Sequence, residues 1–393
     1  MRPLARPAAT VAGCVTALLL AACGSSLSSD TAATGSSPGG SAKVALLVPK
    51  SGVYAPLGED MEQGFRSYLQ EKGGKLGGKT VDVSVVDEGA GPETGVPAGQ
   101  KLAAQADLSA VVGIVNSAVA LGLRETFQEA RKPLIVANAG ADAITGASRS
   151  DYVWRTSFAN SEPAAALGKH VADQVKGGSV YLVAPDYAAG KEFLDGFEKA
   201  FTAAGGKVAG RALPPFGKTS NYQPFLAGIQ SSGAAAVFAF FAGSEAVGFV
   251  KQYRELGVGL PLYAPGFLTE GGVLQAQGEA AAGIQTSLHY SDQLDNPRNK
   301  AFTAAYRTAY NEAPTTYAVQ AYDAAQALDM ALSRGTSGEQ VIAGLKAITS
   351  IDSPRGPFSF TAGQGPKQTY YLRVTEPGTA GLVNRVVSTL AAP

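Results

Sequence analysis

The sequence is poor in the side chains from which disulfides, metal sites and nucleophilic centres are built. Its 393 residues include two cysteines, two histidines and one tryptophan. His170 and His289 form no HxxxH or HExxH pattern, and the one GxSxG match, GSSPG (35–39), lies in a Gly/Ser-rich stretch with no strand or helix pattern around it. Cys14 falls in an N-terminal segment that we expect to be removed, which would leave a single cysteine and no disulfide. These scarcities argue against an enzyme, and we predict neither a metal nor another cofactor.

An excess of charge of one sign is also lacking. Lysine plus arginine and aspartate plus glutamate number 32 each, so the formal net charge is zero. We therefore predict no nucleic-acid partner and no polybasic attachment to membranes. Hydrophobic residues make up 45% of the chain and charged residues 16%, which is typical of a globular protein. The length suits two domains better than one core.

Hydrophobic runs are short, and the apolar segment 11–22 is too short to span a bilayer comfortably. It follows Arg2 and Arg6 and ends in LAAC, which resembles the lipobox of bacterial lipoproteins. This resemblance implies a signal peptide over 1–22, lipidation of Cys23, and a Gly/Ser-rich tether over 23–42. The protein would then lie outside the cytoplasm, anchored by lipid to the cell membrane. An ordinary signal peptide with a chance cysteine is the alternative.

From Lys43 onward, strand and helix patterns alternate. Apolar strands are predicted at 43–49, 80–88, 110–115, 133–138, 179–184, 207–213, 234–241, 261–265 and 283–290. Helices are predicted at 58–74, 97–107, 118–131, 164–176, 190–204, 222–231, 244–256, 297–311 and 316–333, and the C-terminal part is strand-rich. This alternation predicts an α/β fold with parallel sheets, divided into two Rossmann-like lobes.

Two glycine-rich stretches could be mistaken for nucleotide sites. GGKLGGKT (73–80) matches the phosphate-loop pattern, but it follows a predicted helix and precedes a strand, which is the reverse of a working phosphate loop. GAGPETG (89–95) lacks the spacing of a dinucleotide fingerprint and is interpreted as a turn. We therefore expect no nucleotide at either stretch.

Several segments together resemble extracytoplasmic solute-binding proteins of the Leu/Ile/Val-binding type, a family that serves ABC importers. They are SGVYAPLGEDMEQGF (51–65), AVVGIVNSAVALGL (110–123), KPLIVANAGADAIT (132–145), YVWRTSF (152–158), QAYDAAQAL (320–328) and SPRGPFSF (353–360). The likeness extends over nearly all of 43–388. DYAAG (186–190) together with WRTSF also resembles the branch of the family that takes aromatic acids.

The resemblance implies two lobes that close over a small ligand and are joined by three crossings, near 156–162, 286–292 and 355–360. The first lobe would comprise 43–157 plus 290–356, and the second 158–289 plus 357–390. It also implies a monomer that delivers its ligand to an ABC permease in the membrane, without catalysis. A sensory role, in which ligand binding is signalled to a membrane receptor, is the alternative.

Transferring the family's ligand loops gives a candidate pocket. We expect Ser117 to bind a ligand carboxylate with the N–H groups of its helix, although it could be only an N-cap. The candidate ligand-binding residues are Tyr54, Leu57, Asn116, Ser117, Ala118, Asn138, Ala139, Gly140, Tyr187, Ala189, Phe241 and Phe267. Phe241 and Phe267 could equally belong to the core.

Three departures from the family pattern concern the amino group of an amino-acid ligand. Relatives usually have threonine at the position of Gly140, an acid near Gly266 and tyrosine where this chain has Ala189. Glu270 comes too late in its loop to replace the acid. A buried, unpaired ammonium costs several kcal/mol. The remaining aromatic and small residues, Ala242 among them, favour a flat carboxylate such as an aromatic acid; branched-chain amino acids are the alternative.

Overall fold

The structure is a computed structural model that describes residues 40–379 and 381–392. The predicted signal peptide, the lipidation site Cys23 and all but the end of the predicted tether lie outside the described residues. Within the part of the chain that the structure describes, no helix has both the length and the apolar composition needed to cross a membrane.

Strands and helices alternate, as the sequence patterns predict. The strands are β1 (Ser41–Val48), β2 (Lys75–Leu76), β3 (Lys79–Asp87), β4 (Leu108–Gly113), β5 (Leu134–Val136), β6 (Val153–Arg155), β7 (Ser179–Val183), β8 (Lys207–Ala212), β9 (Ala236–Ala239), β10 (Leu262–Pro265), β11 (Gln285–Leu288), β12 (Ser359–Phe360), β13 (Pro366–Lys367), β14 (Tyr371–Gly378) and β15 (Gly381–Thr389). The helices are α1 (Ala55–Glu71), α2 (Pro92–Ala103), α3 (Ser117–Glu129), α4 (Ser161–Val175), α5 (Ala188–Ala203), α6 (Gln223–Ser231), α7 (Gly243–Glu255), α8 (Gly272–Gln277), α9 (Pro297–Tyr310), α10 (Thr316–Leu332) and α11 (Gly338–Lys346).

Two sheets organise the fold. The first has the strand order β2-β3-β1-β4-β5-β6 and is parallel except at β2. The second has the order β15-β14-β11-β10-β9-β7-β8, in which β14 and β15 are antiparallel additions to a parallel set. Helices cover both sheets, and the predicted α/β class with two mostly parallel sheets is confirmed.

The chain passes between the sheets three times: after β6, after β11 and before β14. The predicted third crossing at 355–360 stays a prediction, but the β12–β13 hairpin, which begins at its end, still packs beside the first sheet. Gly146 N–H donates to the Gly363 carbonyl at 2.8 Å, and Arg155 N–H donates to the Gln364 carbonyl at 3.1 Å. We therefore propose that the third crossing and the second lobe's last segment begin near 368; the other lobe boundaries stay predictions.

Both glycine-rich stretches have ordinary structural roles. GGKLGGKT follows α1 and forms the turn and strands of the β2–β3 hairpin, where Gly77 and Gly78 adopt φ of 57° and 77°. The interpretation of GAGPETG as a turn is wrong for its second half, because α2 begins at Pro92 rather than near 97. Proline is tolerated at the first position of a helix, where its missing N–H would have no helical partner.

Close packing of α1 against α10 depends on Gly64. A Cβ atom at this position would lie 2.0 Å from the carbonyl oxygen of Ala318. The missing side chain lets α10 approach α1 closely. A segment late in the sequence thus joins the first sheet's layer of helices.

Candidate functional site

A cavity opens beside the N-termini of α3, α5 and α7, where β4, β7 and β9 end. Its volume is about 30 Å³, so its walls lie close together in this structure. The lining residues are Tyr54, Leu57, Val115, Ser117, Asn138, Gly140, Phe158, Asn160, Tyr187, Ala189, Phe193, Phe240, Ala242, Phe267 and Tyr317. Strand carboxyl ends are where open α/β sheets bind ligands.

Eight of the twelve predicted residues line this cavity. They are Tyr54, Leu57, Ser117, Asn138, Gly140, Tyr187, Ala189 and Phe267. They lie on loops and helix starts of both sheets, at positions that are far apart in the sequence. Their contact with a ligand stays a prediction, but the structure does place them around one common space.

Phe241 lies away from the cavity, in the core of the second sheet. Its ring stacks on Phe249 at 4.3 Å between centroids and meets Tyr222 edge-on at 5.4 Å. The preceding residue, Phe240, lines the cavity instead. Extended backbone sends successive side chains to opposite faces, so the prediction was wrong by one position.

The remaining three predicted residues do not line the cavity. Asn116, not Ser117, is the N-cap of α3: its side-chain oxygen accepts from the N–H groups of Ala118 and Val119 at 2.9 and 3.4 Å. Ala118 does not line the cavity. Ala139 is buried in the core behind the first sheet. The hydroxyl of Ser117 is therefore not needed as a helix cap.

Six lining residues were missed by sequence reasoning: Val115, Phe158, Asn160, Phe193, Phe240 and Tyr317. Phe193 stands on the buried face of α5, where helical periodicity resembles ordinary core packing. Phe158 and Asn160 lie on the first crossing, in and just after the quoted WRTSF. The aromatic-acid resemblance of that motif was the signal that could have identified them.

One wall of the cavity carries a chain of polar groups. The Asn160 side-chain NH₂ donates to the Ser117 hydroxyl at 3.4 Å and to Glu192 at 2.8 Å, and the Asn160 backbone N–H donates to the Gly140 carbonyl at 2.6 Å. Glu192 also accepts from the Asp142 N–H at 3.2 Å, and burial raises its pKa. Because Ser117 is an acceptor here, its own proton is free to be donated to a ligand oxygen.

Packed rings form the apolar part of the cavity. Phe158 lies 4.8 Å from Phe267 and 6.2 Å from Phe193, while Phe193 stacks on Phe240 at 3.9 Å. Aromatic pairs at such separations attract one another and hold defined orientations. The cavity therefore has rigid, flat walls suited to a planar ligand.

A hydrogen bond between two phenols connects the sides of the cleft. Tyr54, just before α1, and Tyr187, just before α5, have their oxygens 2.6 Å apart. The ring of Phe216 stacks on Tyr187 at 4.3 Å and contacts Tyr54 at 5.7 Å. Since α1 covers the first sheet and α5 the second, this pair joins the two halves across the cavity.

Among the described residues that line the cavity, none is charged. Glu270, the acid nearest in sequence to the expected position, is buried elsewhere: it accepts from Arg373 at 2.9 Å and from the Thr316 N–H at 2.7 Å. The N-cap residues of α5 and α7 provide no side-chain cap, so these helix starts keep free N–H groups beside the cavity. Helix N-termini favour an anion without a cationic side chain.

The residues that the structure describes do not form a recognisable metal site. No group of three or more His, Cys, Asp or Glu side chains in residues 40–379 and 381–392 is arranged to hold an ion. His289 is fully buried beneath the cavity wall, where its Nε2 lies 3.0 Å from the Gln320 amide nitrogen and its ring stacks on Phe158. Burial holds the pKa of His289 well below its usual value.

Residues 41–379 match the family model of a periplasmic binding protein. The chain belongs to the periplasmic binding protein family. Among curated relatives, this periplasmic binding protein is 31% identical to a Leu/Ile/Val-binding protein homolog 6 of Brucella melitensis, over 84% of the chain and 86% of the relative. The predicted Leu/Ile/Val-binding family is thereby confirmed.

Solved structures similar to this periplasmic binding protein include aromatic-acid complexes from ABC transporters. A Rhodopseudomonas palustris solute-binding protein in complex with benzoate is 39% identical, with a TM-score of 0.83 over 90% of this chain and 98% of that one. Another from R. palustris, in complex with 4-hydroxybenzoate, is 30% identical, with a TM-score of 0.83 over 90% and 97%. The type I periplasmic-binding-protein fold is confirmed.

These similarities identify the class of protein to which the chain belongs. The periplasmic binding protein is the extracytoplasmic solute-binding component of an ABC transporter and not an enzyme. The expectation of a binding protein without a catalytic step is confirmed.

Proposed function

We propose that this protein binds a small aromatic carboxylate outside the cytoplasm and delivers it to the permease of an ABC importer. The observation that carries the proposal is the composition of the cavity wall, to which the described residues contribute seven aromatic side chains and no charged one. An α-amino acid would place its ammonium group there without a counter-charge, at a cost of several kcal/mol. The aromatic-acid ligands of the similar solved structures support the same choice.

The carboxylate would lie against Ser117 and the start of α3, and the ring would pack against the cavity face of the phenylalanines. Ser117 offers one hydroxyl proton, while Asn160 keeps that hydroxyl oriented. The N-termini of α5 and α7, which follow strands of the second sheet, would also stabilise the negative charge, by about 0.3–1 kcal/mol each. The anion is thus stabilised by dipoles rather than by an arginine or lysine.

Membrane attachment through a lipid on Cys23 is part of the same proposal. It rests on the LAAC motif that ends the apolar segment and on the Gly/Ser-rich stretch that follows. A tether of this composition would let the binding lobes reach the permease while the lipid keeps them at the membrane.

A ligand panel tests the proposed class. We expect benzoate or a hydroxybenzoate to raise the thermal unfolding temperature and to give a measurable Kd by calorimetry, because ligands that bind only the folded state stabilise it. Leucine, isoleucine and valine should give no shift at the same concentration. Benzamide keeps the ring and removes the negative charge, so the difference between its affinity and that of benzoate measures how much the carboxylate contributes to binding. Stabilisation by valine and by no aromatic acid would contradict the proposal.

Replacement of Ser117 with alanine isolates the carboxylate contact. We expect S117A to weaken aromatic-acid binding about 10-fold, because a hydrogen bond to a charged group contributes about 1.5 kcal/mol or more. Folding stability should change little, since Asn116 caps α3. The matched variant N116A should instead lower the free energy of unfolding by about 1 kcal/mol through loss of the cap. Unchanged affinity in S117A would remove this residue from the proposed site.

A further inference from the structure

One buried hydroxyl in the cavity wall has no partner among the described residues. Tyr317, in the first turn of α10, lines the cavity and is 2% exposed. Its phenol oxygen makes no hydrogen bond. Leaving a buried donor unpaired is unfavourable, and native proteins rarely do so without a functional reason. The free protein therefore keeps an unsatisfied polar group at a place where a ligand can reach.

Two other phenols lie near it. Tyr54 and Tyr187 are hydrogen-bonded to each other at 2.6 Å, so each has a partner, whereas Tyr317 does not. The pKa of Tyr317 is raised well above its usual value, first by burial and then by the neighbouring carboxylates of Glu270 and Asp60. Tyr317 is thus neutral at physiological pH and can both donate and accept one hydrogen bond or more.

A series of packed rings connects the Gly140 side of the cavity with Tyr317. Phe158 lies against Gly140, and a Cβ on that glycine would be 2.5 Å from the Phe158 ring. The Phe267 ring lies 4.8 Å from the Phe158 ring, and the Tyr317 ring lies 6.1 Å from the Phe267 ring. A ligand whose carboxylate contacts Ser117 would therefore direct a different part of its ring toward Tyr317.

We propose that Tyr317 determines specificity by hydrogen-bonding a hydroxyl group on the aromatic ring, so that the protein prefers a hydroxybenzoate to benzoate. The inference rests on the proposed function, because it takes the carboxylate to lie at Ser117. A site that pairs a ligand hydroxyl discriminates against the analogue lacking it, since its own polar group then stays buried and unpaired. The 39% identical relative was solved with benzoate, which has no ring hydroxyl, so the proposed preference would distinguish this protein from that relative.

Calorimetry on the wild type and Tyr317→Phe with benzoate, 3-hydroxybenzoate and 4-hydroxybenzoate tests the proposal. We expect the wild type to bind at least one hydroxybenzoate about 3- to 10-fold more tightly than benzoate, the range of one neutral hydrogen bond. In Y317F this preference should disappear while benzoate affinity stays the same. The ring is kept in Y317F, so the cavity wall retains its packing.

Tyr222→Phe is the matched control. The Tyr222 hydroxyl is also buried without a partner among the described residues, but it lies in the second sheet's core and not in the cavity. Y222F should leave all three affinities unchanged. Two results would overturn this inference and leave the proposed function standing. One is an equal loss of affinity for benzoate and the hydroxybenzoates in Y317F, and the other is a wild type that does not bind a hydroxybenzoate more tightly than benzoate. Failure of all three acids to bind the wild type would overturn the proposed function, and this inference with it.

Discussion

Replacement of Gly140 with threonine is expected to weaken aromatic-acid binding by about 30- to 150-fold, or roughly 2–3 kcal/mol. A Cβ at this position would lie 2.1 Å from the Asn160 side-chain oxygen and 2.5 Å from the Phe158 ring, and both side chains line the cavity. Asn160 cannot move aside freely, because it is bonded to Glu192 and to the Gly140 carbonyl. The new side chain must therefore displace Phe158 into the ligand's space.

Gly259→Thr is the control for this experiment. A Cβ on Gly259 meets no atom within 4 Å, and like Gly140 it is not among the residues with positive φ. G259T should leave ligand affinity unchanged, whereas G140T should also lower the free energy of unfolding by about 1–3 kcal/mol through overpacking. If G140T bound benzoate or a hydroxybenzoate as well as the wild type does, Gly140 and Phe158 could not form the wall against which the ligand packs.

Replacement of Arg373 with methionine should lower the free energy of unfolding by about 3–5 kcal/mol. Arg373 is fully buried and donates to Glu270 at 2.9 Å, to the Tyr290 carbonyl at 2.8 Å and to the Gly266 carbonyl at 3.1 Å. Its loss leaves a buried carboxylate without a counter-charge. Because Gly266 precedes the cavity residue Phe267, ligand binding should weaken as well.

The free energies of unfolding of three variants, measured by chemical denaturation, separate the cost of an unpaired buried charge from the cost of lost packing. The double variant R373M/E270M should recover part of the stability, since replacing both members of a buried pair with apolar residues is often close to neutral. Lys169 pairs with Asp173 on an exposed helix surface, and K169M should unfold like the wild type. A decrease in R373M no larger than that in K169M would show that the buried pair does not support the second sheet.

The alternation of elements could be predicted because it depends on local pattern, and the first-sheet loops that line the cavity could be predicted from the family resemblance. Apolar runs bounded by glycine or polar residues predicted β1, β4 and β7, and the order helix-then-strand correctly argued against a phosphate loop at GGKLGGKT. The missing counter-charge was also predictable, and Glu270 is indeed bound to Arg373 rather than directed into the cavity.

Residues that reach the cavity through tertiary packing could not be predicted from local pattern. Tyr317 lies on α10, whose close contact with α1 depends on Gly64 and leaves no periodic signal. Phe240 was missed because the end of β9 fixes which of two adjacent phenylalanines faces the ligand cleft. Asn160 lies on a crossing, where neither helical nor strand periodicity applies.

A crystal structure of the protein grown with equimolar 4-hydroxybenzoate and leucine tests the central claim most directly. We expect the aromatic acid in the cavity, with a carboxylate oxygen within hydrogen-bond distance of Ser117 Oγ and the ring packed against Phe158 and Phe267. Leucine in the cavity, with its ammonium group paired to an acidic side chain, would contradict the claim that the uncharged wall selects an aromatic carboxylate.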